Sequence, residues 1–135
     1  MAALDAVGVH GRETVLVVDD ESGVRRLIGE TLRSYGYNVL ESGDSAEALE
    51  MAAREDPRVD LLLTDVVMPK VNGRSLAEAW KARHPDLKVL FMSGYWEDSS
   101  TGKTLSALQY PLLQKPFSGL MLARKVREVL DGRAD

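Results

Sequence analysis

Between residues 14 and 131 the chain alternates short apolar runs with longer stretches whose apolar positions recur at spacings of three and four. The first run, Thr14-Val-Leu-Val-Val18, is β-branched and apolar on both faces, as in a strand covered from both sides, and it ends in Asp19-Asp20. Val24, Leu27, Ile28, Thr31, Leu32 and Tyr35 then trace a helical stripe, which Gly36 stops. A short strand, Tyr37 to Glu41, follows. A helix from Ser45 to about Arg54 buries Ala46, Ala48, Leu49 and Ala52, and Asp56-Pro57 closes it. The third strand, Asp60 to Asp65, again ends in an acid, and Val66 to Gly73 reads as a loop marked by Pro69 and the turn and helix start Asn72-Gly73.

The alternation continues with a helix from Ser75 to Ala82 and a fourth strand, Leu87 to Met92, that ends at Ser93-Gly94. The stretch from Glu97 to Leu108 is the weakest helix, since Ser99, Ser100, Thr101 and Gly102 are poor helix formers. It is expected to be short or mobile. A fifth strand, Tyr110 to Gln114, leads into Lys115-Pro116, and a last helix runs from about Ser118 to Leu130 with Leu122, Val126, Val129 and Leu130 inward. Five βα units in succession imply an α/β fold with a doubly wound, five-stranded parallel sheet and helices on both faces. Ligands of such sheets bind beyond the carboxyl ends of the strands. Residues 1–12 and 132–135 show no periodicity and read as tails around a domain spanning 13–131.

The strand ends carry the chemistry. Asp19 and Asp20 follow strand one, Asp65 ends strand three, Ser93 strand four and Lys115 strand five, all at the carboxyl edge. Three carboxylates that share one cleft repel one another unless a cation intervenes. An oxygen-only donor set without His or Cys favours Mg²⁺ or its relatives over zinc. A carboxylate beside such an ion can attack phosphorus and form an aspartyl phosphate. Lys115 and the Ser93 hydroxyl could hold the remaining phosphoryl oxygens.

Composition narrows the alternatives. With 17 Lys+Arg against 21 Asp+Glu the net charge is −4, which argues against a nucleic-acid-binding surface. The absence of cysteine excludes disulfides, thiolate metal sites and cysteine nucleophiles. No apolar run approaches the roughly 18 residues of a membrane span, and the first ten residues lack the pattern of a secretory signal.

Four motifs in order, each at a strand end, resemble the response-regulator receiver domains of two-component signalling. They are Val17-Val-Asp-Asp-Glu21, Leu63-Thr-Asp-Val-Val-Met-Pro69 with Asn72-Gly73, Phe91-Met-Ser-Gly94 and Gln114-Lys-Pro-Phe117. The resemblance covers residues 14 to 131. It implies strand order 2-1-3-4-5 and a cytoplasmic phosphoacceptor that takes a phosphoryl group from phosphohistidine onto Asp65. It implies that Mg²⁺, with Mn²⁺ as a substitute, is held by Asp20, Asp65, the backbone carbonyl of Val67 and, through water, Asp19. Ser93 and Lys115 would contact the phosphoryl group, and Lys115-Pro116 would be cis. The partner would be a histidine kinase or a histidine phosphotransfer domain, without nucleic acid or direct membrane contact. Such a domain is not a conventional enzyme, yet it catalyses its own phosphorylation and dephosphorylation.

Two positions depart from the family's pattern. The aromatic residue often found three before the lysine is Leu112 here, which puts an aromatic switch coupled to Ser93 in doubt, and Tyr110 would share the Leu112 face without replacing it. The polar stretch after Gly94 stands where an output surface usually lies. Phe91-Met-Ser-Gly-Tyr95 and Leu112-Leu-Gln-Lys-Pro-Phe117 most resemble receivers fused to hybrid histidine kinases, so a larger parent polypeptide is the reading weighed against a free-standing receiver. No DNA-reading segment follows residue 131, and output is expected to pass through another polypeptide or further domains. Val67 and Tyr95 are expected to flank the water path to Asp65 and to slow dephosphorylation.

Other readings compete. A flavodoxin-like carrier would need a Ser/Thr/Gly-rich phosphate loop where Asp19-Asp-Glu21 stands, and an aspartyl phosphohydrolase would need an acid-x-acid pair and a cap domain. A protein-interaction module that is never phosphorylated is the main alternative on the same fold. Thr101-Gly-Lys-Thr104 imitates the end of a P-loop, but residue 97 is Glu where that motif requires glycine. Arg25-Arg26 reads as a solvated helix face, and His84 as a helix-terminus residue.

Overall fold

The computed structural model describes residues 8–54, 57–94 and 110–132. Five parallel strands form one sheet: β1 (Thr14–Val18), β2 (Asn38–Ser42), β3 (Leu61–Asp65), β4 (Lys88–Ser93) and β5 (Leu112–Gln114). Their order is β2-β1-β3-β4-β5. Four helices lie among the described residues: α1 (Ser22–Ser34), α2 (Ser45–Met51), α3 (Gly73–Arg83) and α4 (Gly119–Leu130). The doubly wound expectation and the strand order both hold. The weak helix expected from Glu97 to Leu108, the Thr101–Thr104 motif and Tyr95 lie outside the described residues.

With a period of two along each strand and helices on both faces, the central strands β1, β3 and β4 carry apolar residues on both sides. Leu16, Val18, Leu62, Val89 and Phe91 face one side, where Ala48 of α2 and Leu76, Ala77 and Trp80 of α3 cover them. Val15, Val17, Leu61, Leu63, Leu90 and Met92 face the other, against Ile28 and Leu32 of α1 and Leu122, Val126 and Val129 of α4. α2 stops at Met51 rather than near Arg54, because the N–H groups of Ala52, Ala53 and Arg54 bond to carbonyls three residues back (Leu49, Glu50 and Met51) in a tighter turn, and two side chains of the α3 region reach this end. Trp80 Nε1 donates to the Ala48 carbonyl at 2.9 Å, and His84 Nε2 lies 2.8 Å from the Ala52 carbonyl. His84 is thus a helix-end partner, as its position before Pro85 suggested.

Residues 8–12, read from sequence as part of a tail, pack onto the domain. Val9 is buried against Ala123, and Gly11 N–H donates to the Tyr35 carbonyl at 3.1 Å. Arg127 of α4 holds this segment through the His10 carbonyl and the Glu13 carboxylate, the latter at 2.6 Å. Apolar periodicity cannot register such a segment, because one buried valine and backbone hydrogen bonds fix it.

The loop between β3 and α3 closes onto the end of β3. Asn72 caps α3 by accepting from Ser75 N–H at 2.9 Å, and Gly73 N–H donates to the Val66 carbonyl at 2.8 Å. Ser45 ties the loop to α2, donating to the Pro69 carbonyl at 2.7 Å and accepting from Val71 N–H at 3.0 Å. Gly73 lies so close to β3 that a Cβ there would collide with the Asp65 carbonyl oxygen and stand 3.0 Å from the Asp65 carbonyl carbon. Gly73→Ala is therefore expected to destabilise the fold by about 1–3 kcal/mol through overpacking against rigid backbone. Chemical denaturation measures this, and an unchanged midpoint would contradict the close approach.

Candidate phosphoacceptor site

Parallel register brings the polar strand ends together. Asp65 pairs with Met92, so Ser93 stands one residue beyond it on the neighbouring strand, and Ser93 in turn pairs with Gln114 just before Lys115. The Ser93 carbonyl accepts from Lys115 N–H at 2.7 Å, which anchors the lysine to the end of β4. Lys115-Pro116 is cis, as the resemblance implied. From there Lys115 Nζ reaches Asp65 Oδ1 at 3.0 Å and Asp19 Oδ2 at 3.2 Å.

The cluster is largely withdrawn from water. Asp19 and Ser93 are 0% exposed and Asp65 is 4% exposed, while Asp20 is open to solvent. One carboxylate oxygen from each of Asp19, Asp20 and Asp65 lies within 4.8 Å of the others. Asp19 and Asp20 are not used up in capping. The N-cap of α1 is Glu21, which makes no side-chain cap bond, and Asp19 Oδ1 instead accepts from Glu21 N–H at 2.9 Å. Ser93 Oγ, fully buried, finds no hydrogen-bond partner among the described residues. Asp65 Oδ1 has the Lys115 ammonium beside it but no well-directed hydrogen bond.

Burial, and then the Asp19 carboxylate, push the Asp65 carboxyl up to about 7, with Lys115 opposing them. Burial alone would lower the Lys115 ammonium, but the charges of Asp65 and Asp19 outweigh it and hold Lys115 above its ordinary value. The lysine therefore stays charged and cannot by itself satisfy the carboxylates around it. All-oxygen donors, excess negative charge and an exposed Asp20 fit a hard divalent cation that keeps several waters.

The sequence-derived site residues Asp19, Asp20, Asp65 and Lys115 come together, with Ser93 at the adjoining strand end. Val67 lies two residues past Asp65 in the β3–α3 loop and is 51% exposed. Tyr110 and Leu112 pack on the same face of the sheet, and Tyr110 meets Phe91 edge-on at 5.5 Å. Sequence reading missed Arg25. Its side chain is 21% exposed, and Nη1 donates to the Asp19 carbonyl at 2.8 Å, whereas Arg26 is exposed as expected. Helical periodicity places Arg25 beside the apolar stripe but cannot show that it turns back over the preceding loop.

Asp65 gives the site a pH signature. Its carboxyl binds a proton more tightly folded than unfolded, where it titrates near 3.9. Stability of the metal-free protein should therefore fall as pH rises from about 4 to about 7. Asp65→Asn removes this loss. Above pH 7 in chelator the variant is expected to exceed wild type by on the order of 4 kcal/mol, about 1.4 kcal/mol for each of roughly three pH units, with the gap closing toward pH 4. Thermal melts across that range measure it, and a difference independent of pH would contradict it.

Comparison with known proteins agrees with this geometry. Residues 15–127 match the response regulator receiver domain family. The chain is 39% identical over 126 residues to sensor kinase CckA of Brucella abortus, covering 93% of this chain but 13% of that protein. It is 33% identical over 121 residues to the probable transcriptional regulator ycf27 of Porphyridium aerugineum, covering 88% of this chain and 48% of that one. The chain thus spans about half or less of these relatives. Among solved structures, the receiver domain of the hybrid histidine kinase CckA superposes with a TM-score of 0.71 at 32% identity, covering 87% of this chain and 98% of that one. The chemotaxis response regulator CheY4 of Vibrio cholerae gives 0.74 at 26% identity, covering 88% and 99%. With its motifs, fold and carboxyl-edge cluster in agreement, the chain belongs to the response regulator receiver domain family.

Proposed function

We propose that this chain accepts a phosphoryl group from a phosphohistidine donor onto Asp65, within a two-component or phosphorelay system. The observation that carries the reading is the arrangement around Asp65. It is a nearly buried carboxylate with Lys115 at 3.0 Å, flanked by two further acids, and an unpartnered hydroxyl stands at the neighbouring strand end. An oxygen of the ionised Asp65 carboxylate forms a bond to phosphorus as the phosphorus–nitrogen bond of the donor breaks. The imidazole nitrogen keeps the electron pair and takes up a proton. Lys115 and Ser93 Oγ then receive the phosphoryl oxygens, and later attack by water releases phosphate and regenerates Asp65.

Mg²⁺, or Mn²⁺ in its place, held by Asp20, Asp65, the Val67 carbonyl and, through water, Asp19, would supply positive charge that lowers the Asp65 pKa and offsets charge on the phosphoryl oxygens. Asp19 anchors Lys115, whose ammonium is then fixed where the phosphoryl group arrives. The donor is a histidine kinase or histidine phosphotransfer domain. An apolar groove of about 300 Å³, lined by Val24, Leu27, Ile28, Phe117 and Leu122, opens beside Lys115. With Leu27 64% exposed, it suits an apolar helix face that presents the phosphohistidine. Among the described residues no helix is long and apolar enough to cross a membrane. A cytoplasmic location fits such a donor.

Intact mass after incubation with acetyl phosphate tests the reading. Wild type should gain one phosphoryl group only with Mg²⁺, and Asp65→Asn should gain none. No gain by wild type from acetyl phosphate or from a phosphohistidine donor would favour an interaction module instead. Val67, exposed beside the site, is expected to slow the approach of water to the aspartyl phosphate. Val67→Asn should therefore shorten the lifetime of the phosphorylated form several-fold in a phosphate-release assay, and an unchanged lifetime would contradict this role.

A further inference from the structure

Asp19 and Asp20 act as a pair only if the peptide that joins them is held. Each polar group of Asp19 is engaged. Its N–H donates to the Ser42 carbonyl at 3.2 Å, Oδ1 accepts from Glu21 N–H at 2.9 Å, and Oδ2 faces Lys115 at 3.2 Å. The fourth group is its carbonyl, the oxygen of the Asp19–Asp20 peptide, and this accepts from Arg25 Nη1 at 2.8 Å. Rotation of that peptide would swing the Asp20 side chain relative to Asp19 and Asp65.

The guanidinium sits in a slot built for it. Glu41 of β2 lies 3.7 Å from Arg25 Nε and is itself held by Arg33 at 3.0 Å. A Cβ on Gly43 would collide with the Arg25 guanidinium and stand 3.0 Å from its Cζ. A Cβ on Gly29 would stand 2.6 Å from Glu41 Oε2. Two small residues thus leave room for the Arg25–Glu41 pair, and the pair fixes the direction from which Arg25 approaches Asp19.

We propose that Arg25 is a positioning residue for the divalent-cation site, holding the Asp19–Asp20 peptide so that Asp20 faces Asp65. The inference rests on the receiver reading given above. Arg25, itself a cation, is no ligand for such an ion; its contacts are the Asp19 carbonyl and Glu41. It acts on the ligand backbone, as groups behind metal ligands do elsewhere, where their loss costs roughly 10–100-fold in metal affinity.

Calorimetric titration of the folded protein with MgCl₂ tests this. Arg25→Met should raise the Mg²⁺ dissociation constant about tenfold, and Arg25→Lys should recover part of the loss. Gly43→Ala keeps the charge but displaces the guanidinium, and it should weaken Mg²⁺ binding in the same direction even if Arg25→Met fails to fold. The Mg²⁺ concentration that half-saturates Asp65 phosphorylation by acetyl phosphate should rise by the same factor as the dissociation constant. A merely structural role would lower Tm and leave the dissociation constant alone. Wild-type affinity in folded Arg25→Met or in Gly43→Ala would overturn the inference while the receiver reading stands. Absence of Mg²⁺ binding by wild type would overturn the cation site itself, and the inference with it.

Discussion

One half-buried ammonium facing two buried carboxylates, with a third at the rim, is the constraint on which the rest of this structure depends. Lys115 meets Asp65 at 3.0 Å and Asp19 at 3.2 Å where water is scarce. A pair of such charges could balance, but three acids and one base cannot. Burial first, and then the Asp19 carboxylate, drive the Asp65 carboxyl up to about 7. Breaking a buried pair by removing its partner is costly, while bringing in another cation relieves the repulsion. The site is therefore poised to accept positive charge, and with it an incoming anion.

The fold keeps this arrangement from relaxing. Asp19 and Asp65 leave adjacent parallel strands packed on both faces, so neither backbone can retreat from the other. Gly73 brings the β3–α3 loop onto the Asp65 carbonyl, the Ser93 carbonyl anchors Lys115 N–H, and Arg25 holds the peptide after Asp19. The rigidity of a close-packed core makes the repulsion persist. In a looser scaffold the acids would move apart and ionise independently.

Much of this could be read from residue order alone. Apolar runs ending in Asp19-Asp20, Asp65, Ser93 and Lys115 by themselves put all the reactive groups at one sheet edge. Two-sided burial of β1 and β3 was legible because Val15 to Val18 and Leu61 to Leu63 leave no polar face. What escaped depends on contacts between distant segments. Arg25 carries no local sign that it bends back to Asp19, and its slot needs Glu41, Gly29 and Gly43 in space. Gly73 looked like an ordinary turn glycine, because close approach to β3 is a tertiary fact. Val9 lies in an aperiodic stretch, yet it is buried on α4. Past Met51, α2 tightens into i to i+3 bonds, and Trp80 and His84 reach the Ala48 and Ala52 carbonyls at this end, contacts that no helix propensity encodes.

The most direct measurement of the central claim is the side-chain carboxyl ¹³C shift of Asp65 against pH, in chelator and with saturating Mg²⁺. Burial and the neighbouring Asp19 charge predict a midpoint near 7 without the ion, and a clear downward displacement when Mg²⁺ is added. A midpoint near the ordinary carboxylate value of about 3.9 in the metal-free protein, unmoved by Mg²⁺, would contradict the account.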